Sequence, residues 1–294
     1  MLAVIIVNYK SEQRTIDYVK KELSKISIPY KVIIVNNGAT KESDNTLSKN
    51  LSAWIIDKNS QANCPEKDCY VLSNPENSGF AKGNNMGVLF AKQHFHPEYF
   101  LFSNNDIHFL SNDVVEKLIK KLDEIPEAGI IGPKVIGLRG ELQSPEPFLS
   151  FWDRHVWMYL STPFYSKSKK SIRFKLNYSQ QAKEGFHYKI MGSFFLVRAK
   201  DFYACGMMDP NTFLYAEETI LTERMKRIGK RVYYYPVVSV LHEHGVTTKQ
   251  HLQKRKQNEI GFKSECYYYK KYIGTSSFLI FIGRIVQTIL TLIK

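Results

Sequence analysis

What the chain lacks narrows its chemistry first. Only four cysteines occur in 294 residues: Cys64, Cys69, Cys205 and Cys266. They form no Cys-x-x-Cys pair and no zinc spacing, so they read as free thiols of a reducing cytoplasm rather than a disulfide frame or a metal knuckle. There is no GxGxxG, P-loop, HExxH, G-x-S-x-G elbow or kinase signature, which argues against the nucleotide-binding, protease and hydrolase classes that use them. Long hydrophobic runs are few. Residues 1–7 are apolar but have no basic n-region and run straight into Asn8-Tyr9, so a first β-strand is expected there rather than a leader. Acidic residues are the minority, 28 Asp and Glu against 41 Lys and Arg, for a net charge of +13. That balance favours anionic partners such as phosphorylated substrates or anionic lipid. No nucleic-acid recognition motif accompanies it, so nucleic acid is not an expected partner.

What is present has the rhythm of an α/β protein. The length, with 44% hydrophobic residues, suits one large domain with or without a smaller C-terminal piece. Strand-like runs at 2–7, 31–35, 70–72 and 99–102 alternate with helix-period segments at 12–26, 81–93 and 114–122. The alternation predicts a mostly parallel sheet covered on both faces. Ligands of such sheets sit at the carboxyl ends of strands. Three of these ends are polar: Asn8-Tyr9, Asn36-Asn37 and Asn104-Asn105-Asp106. The last is the most informative, because a carboxylate and amides are costly to bury unpaired yet suit a hard cation held by oxygen.

The stretch 144–190 breaks the rhythm. It is rich in aromatics, Trp152 among them, and in Lys and Arg, and reads either as a surface excursion or as a lid on the acceptor side. A strand is expected at 191–198 and a helix at 216–228, ended by Gly229. Strands at 231–235 and 237–241 flank Pro236 and lead into His242-Glu243-His244, which offers a metal ligand or an ordinary histidine. A basic helix is expected at 249–272. The apolar segment 276–293 carries Arg284 and Gln287 and is short for a span, so it either packs on the domain or lies in a membrane interface, with Lys270, Lys271 and Lys294 favouring the second.

Two further clusters carry chemistry or packing. Gly83 and Gly87 share one helix face, which suits close packing on the sheet; Asn77 or Ser78 would cap that helix and aim its N-terminus at a phosphate. Glu217-Glu218 open the helix at 216–228. They are either first-turn acids that favour the helix dipole or, near a cleft, a general base.

Taken in order, these stretches resemble the inverting family 2 glycosyltransferases of GT-A fold, especially their rhamnosyltransferase-like group. The matching segments are Val4–Tyr9, Ile33–Asn37, Glu76–Gly87, Phe102–Asp106, Met191–Ser193, Phe213–Glu218, Arg224 and His242. The resemblance implies a Rossmann-like, mostly parallel sheet with helices on both faces: a nucleotide-sugar domain at 1–245 and a C-terminal helical extension at 246–294. It implies an inverting transfer of one sugar from a nucleoside-diphosphate sugar, dTDP-rhamnose or a UDP-sugar, to a saccharide or lipid-linked saccharide in cell-surface polysaccharide assembly. The reaction would be cytoplasmic, at the inner face of the plasma membrane, with peripheral membrane contact.

By position, Val7, Asn8, Tyr9, Asn36, Asn37, Asn77, Gly79, Phe80, Lys82, Gly83, Asn84, Asn104 and Asn105 would border the donor. Asp106 and His242 would hold Mg2+ or Mn2+. Glu218, with Glu217 as rival, would be the base, and Gly192, Ser193, Trp152 and Arg224 would lie toward the acceptor. Asn36 stands where the family usually has an Asp, Glu218 where it has an Asp, and Ile220 where it has another acid. The Gln-x-x-Arg-Trp motif of processive synthases is absent. The alternative is a protein that binds the nucleotide sugar without transferring it.

Overall fold

The computed structural model describes residues 1–57, 64–157, 178–243 and 254–292. The chain opens with β1 (Leu2–Asn8), α1 (Glu12–Lys21), β2 (Tyr30–Asn37), α2 (Lys41–Leu51), β3 (Trp54–Ile56), β4 (Cys69–Asn74) and α3 (Phe80–His94). It continues with β5 (Tyr99–Ser103), β6 (Ile107–Phe109), α4 (Val114–Glu124), β7 (Ala128–Gly137), β8 (Gly185–His187), β9 (Phe194–Arg198) and α5 (Ala199–Ala204). It ends with α6 (Glu217–Arg227), β10 (Arg231–His242), α7 (Lys254–Tyr268) and α8 (Ser277–Leu292).

Among the described residues the strands form one sheet in the order β3-β4-β2-β1-β5-β9-β7-β10-β6, with β8 added beside β10. From β3 to β5 every pairing is parallel. β9 then runs antiparallel to β5 and β7, while β7 and β10 are parallel. The parallel half therefore collects the carboxyl ends of β1, β2, β4 and β5 along one edge.

Strand alternation sends successive side chains to opposite faces. Ile6, Ile34 and Leu101 meet Ile16 of α1, Leu47 of α2 and Leu118 of α4 on one face. Ile5, Ile33 and Phe100 meet Val88 of α3, Phe202 of α5 and Leu221 of α6 on the other. Gly83 and Gly87 are the packing positions of α3: a Cβ at Gly87 would come 2.9 Å from Ile5 Cγ2, and one at Gly83 would come 3.1 Å from Val7 Cγ2.

Several elements go beyond the sequence reading. α2 is too polar to show a helical stripe, and its start is set by a Thr40–Ser43 capping box. β7 hides behind Gly129, Gly132 and Pro133. The two strands expected around Pro236 are one strand, β10, whose register with β7 shifts between Tyr235 and Ser239. A residue without an N–H is accommodated at such a bulge. The helix expected to begin at 249 is described from Lys254. Its start, His244 and the boundary expected at 245 lie outside the described residues.

The stretch 144–190 is closed at its base by a backbone bridge between Glu146 and Lys189, whose side chains also pair at 3.2 Å. Its middle, 158–177, lies outside the described residues. A third apolar cluster joins Phe151 of this stretch and Ile220 of α6 to Cys266, Tyr268, Tyr269 and Ile280. Asp209 adds a polar anchor, accepting hydrogen bonds from Tyr267 (2.8 Å) and Tyr272 (2.6 Å). One face of the C-terminal helices is thus packed on the rest of the chain.

Candidate active site

The edge that collects the parallel strand ends carries a cavity of about 570 Å³. Val7 and Tyr9 reach it from β1, Asn37 from β2, and Asn77, Gly79 and Phe80 from the start of α3. Asn104, Asn105 and Asp106 come from the turn after β5, Gly192 and Ser193 from the approach to β9, Glu217 and Glu218 from the start of α6, and His242 from the end of β10. The structure thus brings together most of the residues singled out in the sequence.

Others stand behind the wall. Asn8 and Asn36 are fully buried. Asn8 Nδ2 donates to Asn36 Oδ1 at 2.8 Å, and Asn36 Nδ2 donates to Asp44 Oδ1 at 2.7 Å. Asn8 Oδ1 accepts from Thr15, and Thr15 and Ser11 both accept from Asn105 Nδ2. Asn37 does line the cavity, but its Oδ1 accepts from Asn74 and its Nδ2 donates to the Gly79 carbonyl. The amides at the strand ends therefore bond to one another and brace the floor. Burial of an amide demands such satisfaction, so Asn8 and Asn36 position the site rather than face a ligand.

Gly83 and Asn84 are buried in α3, and Lys82 is exposed on it outside the cavity. The cap of α3 is Gly79, not Asn77 or Ser78. Its N–H donates to Asn77 Oδ1, and the N–H of Phe80 donates to the Phe213 carbonyl at 2.9 Å. Two donors at that helix end are already used. Trp152 is exposed and lines neither this cavity nor its neighbour. Arg224 instead clamps the carbonyls of Gly206 and Met207 and donates to Tyr272 Oη.

Asp106 is buried, and its Oδ1 faces His242 Nε2 at 3.4 Å. His242 Nδ1 lies 2.6 Å from Gln143 Oε1. That amide oxygen accepts, so Nδ1 donates to it, and Nε2 is the nitrogen left facing the carboxylate. Burial raises the Asp106 pKa, but the His242 contact and the charge of Arg14 outweigh it and hold the group below its ordinary value. Either a proton on Nε2 or a metal cation can stand between the two. A histidine whose other nitrogen is held by an amide oxygen is also how proteins orient metal ligands. The donor set fits a divalent cation. No third His, Cys, Asp or Glu joins it among the described residues, so further oxygens would come from a bound ligand or water.

Glu217 is buried, and no hydrogen bond reaches its Oε1 among the described residues. Burial and the neighbouring Glu218 charge push its carboxyl up to about 8. Tyr215 (φ 73°) and Ala216 (φ 67°) precede it, both in the left-handed region that L-residues rarely adopt. This strained turn directs the two carboxylates into the cleft. Asp106 Oδ1, Ser193 Oγ and Glu217 Oε1, from three separate segments, are all buried, unbonded among the described residues, and on the same cavity. Native proteins rarely leave such groups without a reason.

A second cavity, about 580 Å³, adjoins the first. Met191, Tyr215, Glu218 and Gln257 line both. Tyr188, Tyr268 and Tyr269 line it beside two paired charge groups, Lys189–Glu146 and Arg154–Glu265–His155. Glu146, Arg154, His155, Tyr188 and Lys189 of this wall belong to the stretch 144–190, whereas the sequence reading missed Ser11, Lys256 and Gln257 on the first cavity. The basic composition of the stretch before Tyr272 was the one signal for Lys256.

The profile of Glycosyl transferase family 2 matches residues 3–189. The low-salt glycan biosynthesis hexosyltransferase Agl10 of Haloferax volcanii is 24% identical over 247 residues, 83% of this chain and 68% of that protein. The rhamnosyltransferase WbbL of Escherichia coli is 24% identical over 253 residues, 82% of this chain and 83% of that protein. In fold, the mannosyltransferase PcManGT from Pyrobaculum calidifontis, solved with GDP-Man and Mn2+, superposes at a TM-score of 0.53 with 12% identity, covering 99% of this chain and 74% of that one.

Proposed function

The chain belongs to glycosyltransferase family 2 and has the GT-A fold, and on that premise we propose that it moves a single sugar from a nucleoside-diphosphate sugar in the first cavity to a hydroxyl presented from the second. The three unbonded oxygens of Asp106, Ser193 and Glu217, converging on one cavity, carry this reading.

Glu218 stands in the wall that the cavities share. A hydroxyl arriving from the second cavity would give its proton to Glu218 as its oxygen attacks the anomeric carbon. The bond from that carbon to the diphosphate breaks on the opposite side, so one displacement inverts the configuration. A base so placed contributes roughly 10²–10⁴-fold. Burial and the neighbouring Glu218 charge raise the Glu217 pKa, which favours its protonated form and suits it to donate a hydrogen bond. Lys256, exposed at the rim of the first cavity, would meet the diphosphate. Asp106 and His242 would hold Mg2+ or Mn2+, which when bound neutralises charge growing on the leaving diphosphate.

The rhamnosyltransferase relative supports dTDP-rhamnose as donor, with a UDP-sugar as the rival. The relative named for glycan biosynthesis supports a saccharide acceptor in cell-surface polysaccharide assembly. Tyrosine faces mixed with paired charges suit a neutral sugar. The test is a melting-temperature screen of nucleotide sugars with and without Mn2+, followed by mass spectrometry of released nucleotide. A bound donor raises the melting temperature by mass action. No stabilisation by any nucleotide sugar, and no metal-dependent release of nucleotide, would sink the reading.

A further inference from the structure

α8 is two-faced. Ile280 and Gly283 point inward, and a Cβ on Gly283 would strike the Phe151 ring at 2.6–2.7 Å. Gln287 on the same side lines the second cavity. On the opposite side Phe278, Phe281, Ile285 and Ile289 are 72%, 58%, 42% and 49% exposed. Their spacing of three, four and four residues keeps them on one stripe. Together they leave on the order of 400 Å² of apolar surface in water. A contiguous patch of this size is often functional.

Three observations identify the partner as a lipid surface. The patch is a single narrow ridge and falls well below the roughly 800 Å² per partner of a stable protein interface. Exposed cations stand beside it, Lys270 before the helix and Arg284 along it, on a chain of net charge +13. Finally, α8 is apolar along one exposed stripe with a cation beside it, the pattern of a helix that lies in the interface plane of a membrane.

We propose that α8 docks on an anionic lipid bilayer, inserting Phe278, Phe281, Ile285 and Ile289 at the boundary between headgroups and acyl chains while Lys270 and Arg284 meet anionic headgroups. A helix is about 10–12 Å across. Docking therefore holds the second cavity, lined by Gln287 on the far side of α8, about one helix diameter from the lipid. If that cavity receives the acceptor, as proposed above, the acceptor is a saccharide on a lipid anchor. This last step rests on that reading, whereas the docking does not.

The test uses the full chain with vesicles of phosphatidylcholine, with and without about 30% phosphatidylglycerol. The parent chain is expected to float with the anionic vesicles and only weakly with the neutral ones. Phe278→Glu/Phe281→Glu should weaken that binding roughly tenfold or more. Both side chains are exposed, so the variant should keep its melting temperature and its nucleotide-sugar stabilisation, which separates loss of docking from loss of the donor site. Failure of the parent chain to float, or equal flotation of the double variant, overturns the proposal. So does a dimer in the absence of lipid that the double variant dissociates, since the ridge would then be a self-interface.

Discussion

The side chain of Glu218 fills the space in which a Cβ on Gly192 would stand; the built Cβ collides with Glu218 Cγ, Cδ and Oε1. Gly192 thereby fixes where the carboxylate can lie between the two cavities. Gly192→Ala should displace Glu218 while leaving the sheet intact. The expected result is a fall in kcat of about 10²-fold, within the range a positioned base supplies, with a melting temperature close to the parent's. Steady-state kinetics beside thermal denaturation checks both halves.

Glu218 and Glu217 should separate cleanly. Glu218→Gln keeps shape and removes the proposed base, so transfer should drop roughly 10²–10⁴-fold. Glu217→Gln puts a neutral amide in place of an acid whose protonated form is favoured and should stay within several-fold of the parent near pH 7. An inactive Glu217→Gln beside a working Glu218→Gln would move the base to Glu217.

Glu217 also predicts a pH signature in stability. Its folded pKa of about 8 lies above the ordinary 4.5. The folded chain keeps a proton that the unfolded chain releases, so the stability tied to this group is complete below pH 4.5 and is lost as pH rises through 8. Glu217→Gln removes that loss. The difference in melting temperature between variant and parent should therefore grow in the variant's favour from about pH 5 to pH 9. A difference that is flat over this range would contradict the assignment.

The proposed cation site should depend on Gln143, which lies outside the lining of the first cavity but accepts from His242 Nδ1. Gln143→Ala should raise the Mn2+ concentration needed for half-maximal turnover about 10–100-fold with kcat at saturating metal largely kept. Asp106→Ala should lose turnover at any metal concentration. Metal titrations of the two variants make the comparison.

Asp209 ties the C-terminal helices to the loop after α5 through Tyr267 and Tyr272, with Lys271 at 3.6 Å. Removing a buried charged acceptor leaves two phenol O–H groups without their acceptor, and Asp209→Ala should cost about 2–4 kcal/mol. Urea denaturation measures this, and limited proteolysis should show earlier cleavage in 254–292.

The strand ends Asn8, Asn37 and Asp106 and the helix-opening pair Glu217-Glu218 were legible because polarity at the end of an apolar run is a local pattern. So was the packing role of Gly83 and Gly87, since helical spacing alone puts them on one face. The polar α2 and the Gly- and Pro-interrupted β7 were not, because tertiary burial overrides weak local preference. Arg224 and Trp152 carried no local sign that one would clamp a loop and the other stand in solvent.

The sequence by itself determined the alternation of strands and helices and the edge at which polar groups collect, since both follow from the chain's own periodicity. Only the tertiary structure decided which amides brace the floor and which face the cavity. It also decided that Gly192 sets Glu218 in a shared wall, that Gln143 orients His242, and that α8 turns Gln287 inward and Phe278 outward. Those choices depend on side chains that approach from distant segments, and no local window of sequence contains their partners.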